Sequence, residues 1–568
     1  MIDGDDPPGE REGTMSERKV KRQRGLPDGI SRRRFVEGGA AAAALPPLLA
    51  AALDSVAPAA AHASSVRTLV VVQQPGSLQT VDPGRVAQVD AAAIMGALYD
   101  AMLGLKGADP APAYATHWSV SADGLTCVFN VHPDWKFSDG TLVKPEDYIF
   151  SCYREIYNKS GASWLLSNVA SITKTGAYQI TIKLKTLDVD FLKRLPNRAL
   201  SVTDAAVVKA HGGTDAPDAA TTDTATPWLD QHSVGTGPFM LVRWERGSDM
   251  LLRANPHYWG PKTVDRVVFR FIPDATTQHD LLLRGGADIA INLTPDLAAD
   301  LEKRGPASKV AIATVPALGI AYLGFNVAAG GPISHPKAWE AIRHAVDYDG
   351  LKYIYLGGGQ PTGSIVPPQL PNALPVSERP KQDIGKAKAA LQALGMPNGF
   401  SFKLTYGADQ LMQNVPAIEV VQKVASDLAA VGIKAELIGI PLTQELTDYT
   451  QGKPDAVLHL WAVDYPGWTD FLPNYAPGGH VALTRQHWTA DASPEARKIA
   501  DLVAKAVSIV DAKQQLGPAL EAQRLLNQYG PYAWLFETNY QLGYRTDVIE
   551  KLSIDLLTFF NISTTVFV

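Results

Sequence analysis

The sequence predicts an α/β protein with covered sheets, and two observations carry that expectation. Segments with the two-residue period of a strand alternate along the chain with segments of helical period. Glycine and proline fall mostly where one segment gives way to the next. Taken in order, residues 68–72 form an apolar strand that runs into a Pro75-Gly76 turn. Residues 90–103 read as a helix, with Ile94, Leu98 and Met102 on one side. Residues 126–131 read as a strand, and residues 178–184 alternate apolar with polar side chains after the turn residue Gly176. A helix over residues 202–210 leads into a loop over residues 211–226. Residues 267–271 make a strand closed by Pro273, residues 278–284 a short helix stopped by Gly285-Gly286, and residues 288–293 a returning strand. Further on, Ile418, Val421, Val424, Leu428 and Val431 trace one face of a helix over residues 416–431. Pro416 suits its first turn, Gly432 stops it, and residues 433–438 form the next strand. There is no internal repeat, and every apolar stripe is assigned to core.

The N-terminus carries the pattern of a removable export signal. Arg18, Lys19, Lys21, Arg22 and Arg24 make a basic region, and Ser31-Arg32-Arg33-Arg34-Phe35 follows. An Ala-rich apolar run over residues 38–53 leads to Ala61-His62-Ala63, a small-residue cleavage pattern. The Ser-Arg-Arg-x-Phe core resembles the twin-arginine motif, with Glu37 where that motif often has Lys. The apolar run falls short of the ~20 residues of a membrane span and is broken by Gly38, Gly39, Pro46 and Pro47. Residues 1–63 are therefore expected to be a twin-arginine signal peptide, with Met15 as an alternative start. With no cysteine at the end of the apolar run, a lipid anchor is not expected.

Composition bounds the function without naming it. The chain has 568 residues, 46% hydrophobic and 19% charged, which is ordinary for a globular protein with ample core. Its net charge of −6 becomes more negative once the basic leader is removed, which argues against a nucleic-acid partner. The two cysteines sit in a strand-like segment (Cys127) and a helix-like one (Cys152). A disulfide and two buried free thiols both remain open.

A family resemblance begins at Ala113. Trp118, the turn Ser121-Ala122-Asp123-Gly124-Leu125-Thr126, Trp135-Lys136-Phe137-Ser138-Asp139-Gly140 and Glu146-Asp147 resemble the signature of the extracellular solute-binding proteins of the dipeptide/oligopeptide/nickel class, family 5 of the ABC importers. Physically, Asp123-Gly124 is a tight turn, and Lys144-Pro145-Glu146-Asp147 opens a helix with acids at its positive end. Gly235-Thr236-Gly237-Pro238-Phe239, Asn255-Pro256-His257-Tyr258-Trp259-Gly260, Gly285-Gly286-Ala287-Asp288, Tyr322-Leu323-Gly324-Phe325-Asn326 and Trp461-Ala462-Val463-Asp464-Tyr465-Pro466 resemble further family motifs, in the family's order.

The resemblance implies a periplasmic-binding-protein-like (class II) fold with two lobes, a subdomain inserted in the first, and a hinge. Mapped onto this chain, lobe I takes residues 67–98, 232–313 and 530–568, the inserted subdomain residues 99–231, and lobe II residues 314–529. It further implies a soluble periplasmic monomer with no cofactor and no metal. Such a protein captures a small peptide or peptide-like solute between its lobes and hands it to ABC permease and ATPase subunits in the inner membrane, after export by the Tat machinery. A non-peptide cargo (an opine, sugar or metal chelate) and a chemoreceptor-docking or chaperone role are the alternatives.

By the same resemblance Asp464 pairs with the ligand's α-ammonium, since a carboxylate in a dry cleft attracts a cation strongly. A second reading has Asp464 capping a turn before Pro466. Trp461, Tyr465 and Trp468 cluster around it, as ligand-facing aromatics or as core. Ser77, Leu78 and Asn326 join the expected ligand contacts by family position. One departure stands out: the stretch Tyr406-Gly407-Ala408-Asp409-Gln410-Leu411-Met412-Gln413-Asn414 lacks the Arg that dipeptide-binding members use for the ligand carboxylate. This favours a longer peptide or a ligand that is not a peptide.

No enzyme is expected. The chain has no G-x-S-x-G elbow and no H-E-x-x-H. Leu356-Gly357-Gly358-Gly359-Gln360 lacks the Lys-Ser/Thr of a phosphate loop, and His132, His257 and His279 show no metal-ligand spacing.

Overall fold

Two long strands organise the molecule. In a computed structural model of the protein, which describes residues 66–75, 78–86, 91–159 and 161–568, Val310–Phe325 pairs antiparallel with Tyr532–Arg545 from Val310↔Arg545 to Gly324↔Tyr532. The signal segment with Arg32 and Arg33, and also Ser77, lies outside the described residues. A strand of this length runs about 50 Å, enough to serve two sheets in succession. At one end Gly543 and Tyr544 pair with Ile289–Ala290. The sheet continues there through Thr68–Gln73, Arg266–Phe271 and Asp249–Ala254 to Phe239–Glu245. At the other end Ile320 to Phe325 pair with Ala456–Trp461, followed by Ser401–Gly407 and Lys434–Ile440.

The ladder is irregular between these two halves. Its register slips between Pro316 and Gly319, and Leu318 adopts φ +52°, left-handed backbone that a branched residue seldom takes. A bulge at this point bends the paired strands where they leave one half for the other.

Each half has covered sheet faces, because its strands are apolar on both sides. One core cluster joins Leu69, Val71, Phe269 and Ile289 to the inserted segment, and another packs Leu282, Leu293, Ala298 and Leu301 on the opposite face. In the second half, Ile342, Leu391, Val421 and Leu428 cover one face, and Tyr322, Trp468, Tyr475, Ile499 and Trp534 the other. The helix Ala417–Ala429 buries Val420, Val421, Val424 and Leu428, and Gly432 follows with φ +84°, close to the sequence reading. No helix among the described residues is long and apolar enough to cross a membrane.

The inserted segment has its own four-stranded antiparallel sheet, ordered Ala115–Val120, Thr126–Val131, Gln179–Leu184, Val169–Gly176. The helix Pro145–Asn158 packs against it, its start fixed by the Asp147 carboxylate accepting the Lys144 N–H at 2.8 Å. From that helix Arg154, 2% exposed, reaches two buried acids. Its Nη1 and Nη2 donate to Asp82 at 2.6 and 2.8 Å, and its Nε and Nη2 donate to Asp223 at 2.7 and 2.9 Å. Cys127 and Cys152 are both buried free thiols.

Three elements differ from the sequence reading. The helix expected over residues 90–103 is described only as Ala92–Leu98, and Leu103–Lys106 is a strand. Tyr99 turns extended because the chain must deliver Asp100 to Thr236 and Trp259, whose side chains donate to its carboxylate at 3.1 and 3.0 Å. Gly237 is required at that junction: a Cβ there would sit 2.4 Å from the Leu98 carbonyl carbon. The strand expected over residues 288–293 shrinks to Ile289–Ala290. Finally, Tyr532 to Phe536 were expected in lobe I, yet their side chains pack into the second half's clusters. Sequence order could not show that a return strand changes neighbours midway.

Candidate functional site

A cavity of about 120 Å³ opens where the two halves meet. Its floor is the irregular part of the ladder, with Ala317 on one strand and Tyr540 on the other. One wall comes from Met95, Ala162, Trp164, Asn197, Arg198 and Ala199, with Leu556, Leu557 and Phe559 from the C-terminal segment. The facing wall comes from the second half: Gln413, Ala462, Val463 and Asp464. Most of the lining is apolar, with a few polar groups placed among it, the usual make-up of a small-molecule site.

Side chains on the two walls also meet directly. Asn197 Nδ2 donates to the Asp464 carbonyl at 3.0 Å. The Arg194 guanidinium lies 4.6 Å over the Tyr465 ring, and its Nη2 donates to the Tyr465 hydroxyl at 3.3 Å. Thr469 donates from its N–H and hydroxyl to Asp190 at 3.1 and 2.8 Å. Across the floor, Asn414 Nδ2 donates to the Ile291 carbonyl at 3.1 Å. Gln413 and Asn414 both take positive φ (48° and 80°) at the tip of a tight hairpin, which brings them to this seam.

Asp464 follows the strand Ala456–Trp461 on a loop braced by Asp470, whose buried carboxylate accepts the Asp464 N–H at 2.9 Å. The Asp464 carboxylate itself accepts no hydrogen bond from any described residue, and Asp464 lines the cavity. Burial pushes its pKa up to about 7, although Arg194 and Arg485 pull the other way. Asp470 is likewise raised well above the carboxylate range, by burial and then by the Asp464 charge. Two acids side by side in little water share protons before they share charge.

Of the ligand contacts expected from sequence, Asp464 alone among the described residues lines the cavity. Trp461 stands next to the loop, edge-on to Tyr475 at 5.6 Å and under the Arg485 guanidinium. Tyr465, 2% exposed, faces Arg194 and Trp164 instead of the cavity. Trp468, 1% exposed, is a core residue of the second half. The structure corrects the ligand assignment of Asn326. Its Nδ2 donates to the Gly452 and Pro454 carbonyls at 2.8 and 3.3 Å, and its Oδ1 accepts the Ala328 N–H at 2.9 Å, so its polar atoms are spent on a turn. Leu78 packs half-buried against the first-half core. In these places the apolar or turn-forming character of the side chain outweighed its family position. The turn-cap reading of Asp464 also fails, since Asp470 does the capping.

Sequence reasoning passed over Arg198. It opens a single turn, Arg198–Leu200, whose cap is Asn197 accepting the Ala199 N–H at 3.0 Å. Its Nε and Nη1 are buried and hydrogen-bond to no described residue. Nothing in the local sequence distinguishes it from any surface arginine, because its surroundings come from distant segments.

Two halves joined by a strand pair, with the cavity between them, define a two-lobed binding protein of α/β architecture. The sequence profile of bacterial extracellular solute-binding proteins, family 5 Middle, matches residues 109–482, and the chain belongs to that family. Among curated relatives, a probable D,D-dipeptide-binding periplasmic protein of Escherichia coli K12 is 26% identical over 498 residues, 86% of this chain and 92% of that protein. Heme-binding protein A of Haemophilus influenzae is 27% identical over 389 residues, 64% of this chain and 68% of its own. Among solved structures, the periplasmic binding protein DppA of Helicobacter pylori, in complex with the peptide STSA, superposes with a TM-score of 0.69 at 24% identity, covering 85% of this chain and 94% of that one.

Proposed function

We propose that this protein is the solute-binding component of an ABC importer and captures a peptide or peptide-like solute by its free amine. The observation that carries the reading is Asp464, which lines an interlobe cavity and whose carboxylate takes no hydrogen bond from the described residues. A half-buried carboxylate without a partner has lost part of its hydration, and a cation delivered by a ligand offsets that cost. The curated relative named as D,D-dipeptide-binding and the peptide-bound structural neighbour support the same cargo class. In this reading lobe I comprises residues 67–98, 232–313 and 530–568, of which Tyr532 to Phe536 cross into the core of the second lobe, the inserted subdomain residues 99–231, and lobe II residues 314–529. The lobes turn about the irregular stretch from Pro316 to Gly319, and contacts such as Asn197 with Asp464 form on closure. The closed form is what the permease and its ATPase partner recognise. Arg32 and Arg33 direct export by the Tat machinery to the periplasm, where the mature chain acts as a soluble monomer that binds without catalysis.

The raised titration of Asp464 gives the test. An ammonium binds the ionised carboxylate, so it lowers that group's pKa and expels a proton on binding. Affinity for a free-amine dipeptide is expected to rise as pH rises from about 5 towards about 7, by up to about tenfold per unit, and then level off. In the unliganded protein the sign is opposite: a carboxyl raised by burial contributes stability below its ordinary pKa of about 3.9, and that stability is lost as pH rises through about 7. Calorimetry of alanyl-leucine and N-acetyl-alanyl-leucine in buffers of different ionisation heat measures affinity and proton release, and thermal melts between about pH 4 and 8 measure the stability. Equal affinity for the two peptides, with no proton release, would sink the amine-anchor reading.

A further inference from the structure

An acid of the inserted segment caps a turn that belongs to the second half. Asp190 stands at the cap position of the short helix Phe191–Arg194, yet its side chain accepts nothing from that helix. The carboxylate, 3% exposed, is turned across the seam instead. One oxygen accepts the Thr469 N–H at 3.1 Å and the Thr469 hydroxyl at 2.8 Å. The other pairs with Lys193 at 3.1 Å. Thr469 is the second residue of the single turn Trp468–Asp470, where an N–H normally bonds the side chain of the turn's own cap residue. That cap position holds Gly467, which has no side chain to offer. A larger residue would not fit, because a Cβ on Gly467 would lie 2.5 Å from the Asp190 carboxylate. The cap is supplied from 279 residues away.

Further contacts run beside it. The Thr469 hydroxyl proton is committed to Asp190, so the Tyr465 hydroxyl donates to Thr469 Oγ1 at 3.1 Å and accepts from Arg194 Nη2 at 3.3 Å. Asp188 holds Arg194 at 2.9 Å. Apolar packing interlocks at the same point: Tyr465 joins the first half's core cluster, and Val189 of the inserted segment packs on a cluster of the second half. A crevice of about 410 Å³, lined by Asp188, Arg194, Thr469, Pro473 and Val507, runs along these contacts, so the seam here is a narrow bridge and not continuous core. Asp190, Gly467 and Thr469 do not line the interlobe cavity. The turn they hold nonetheless carries Asp470, whose carboxylate accepts the Asp464 N–H at 2.9 Å.

We propose that Asp190 is a positioning residue, a cap given across the lobes that holds the closed form together and with it the loop of Asp464. When the lobes part, the turn Trp468–Asp470 loses its cap, and both Asp190 and Thr469 must turn to water. Opening thus gives up two charge-assisted hydrogen bonds, which biases the protein toward the closed form with or without a ligand. Every cargo that binds the closed form gains the same factor in affinity, whatever its chemistry.

This inference rests on the lobe closure of the proposed function and not on its amine anchor. Ala317, on the cavity floor and 4% exposed, is replaced by Cys, and the rate at which iodoacetamide labels it without ligand, read at that residue by mass spectrometry, reports how often the cleft opens. Asp190→Ala in this background is expected to speed labelling about 10- to 100-fold. Asp190→Asn keeps an acceptor for Thr469 but loses the charge beside Lys193, and it is expected to stay within about threefold of the parent. Gly467→Ala crowds the same oxygen from the other lobe and is expected to speed labelling about tenfold, so it carries the test should Asp190→Ala fail to fold. Labelling unchanged in both Asp190→Ala and Gly467→Ala overturns the proposal. Equal acceleration in Asp190→Asn and Asp190→Ala also overturns it, because the Lys193 pair and not the cap then holds the seam. A variant combining Asp190→Ala, Arg194→Ala and Asn197→Ala separates the two levels. Fast labelling there, with none gained in the single variants, removes Asp190 alone, whereas slow labelling in all of them removes the lobe closure as well.

Discussion

Asp464→Ala is expected to weaken binding of a free-amine dipeptide by about 100-fold or more while leaving the protein folded. Asp464 lines the cavity, and its carboxylate takes no hydrogen bond from the described residues and is kept from ionising chiefly by burial. Truncating one member of a buried charge pair costs about 2–5 kcal/mol, and each 1.4 kcal/mol is a factor of about ten in affinity. The unliganded variant should be as stable as the wild type, because removing a half-buried acid whose carboxylate takes no hydrogen bond from the described residues removes no contact. Its neighbour Asp470 should then ionise more readily, since the charge that opposed it is gone. Calorimetry on the variant, with a thermal melt as control, decides the matter. Unchanged affinity for alanyl-leucine shows that the amine is held elsewhere.

Arg154→Met should be the most damaging single change to the inserted segment, costing about 3–5 kcal/mol. Methionine fills much of the space but leaves Asp82 and Asp223 facing each other's charge with no cation. Both side chains are fully buried beside Arg154. Burial opposes the ionisation of Asp223, yet the Arg154 bonds outweigh it and hold its pKa below the ordinary range. Urea unfolding followed by tryptophan fluorescence should show an earlier transition. Because Asp82 belongs to the turn that leads to Val86 in the cavity wall, ligand binding should weaken with it. A transition within about 0.5 kcal/mol of wild type would mean that the two acids take up protons or water at little cost.

Much of this could be read without coordinates, and the reasons are local. Strands such as Thr126–Val131 and the helix Ala417–Ala429 show their period in consecutive residues, and glycines such as Gly432 mark where they stop. The ordered motifs from Ala113 to Pro466 carried the family because turns and close approaches demand particular residue types. Gly237 is one: its position admits no side chain against Leu98. Asp464 was singled out for the same reason, standing in a motif with a fixed loop, and it lines the cavity.

The rest of the site was decided by distant segments. Trp468 and Asn326 were named by their neighbours in sequence, but one is enclosed by core and the other by a turn. Arg198 had no local mark at all. It reaches the cavity because Asn197 is drawn to the Asp464 carbonyl from 267 residues away. By itself the sequence determined the α/β elements and the family, since period, turn chemistry and motif are properties of short stretches. Only the tertiary structure decided which residues line the cavity, because burial and proximity are properties of segments that meet only when the chain has folded.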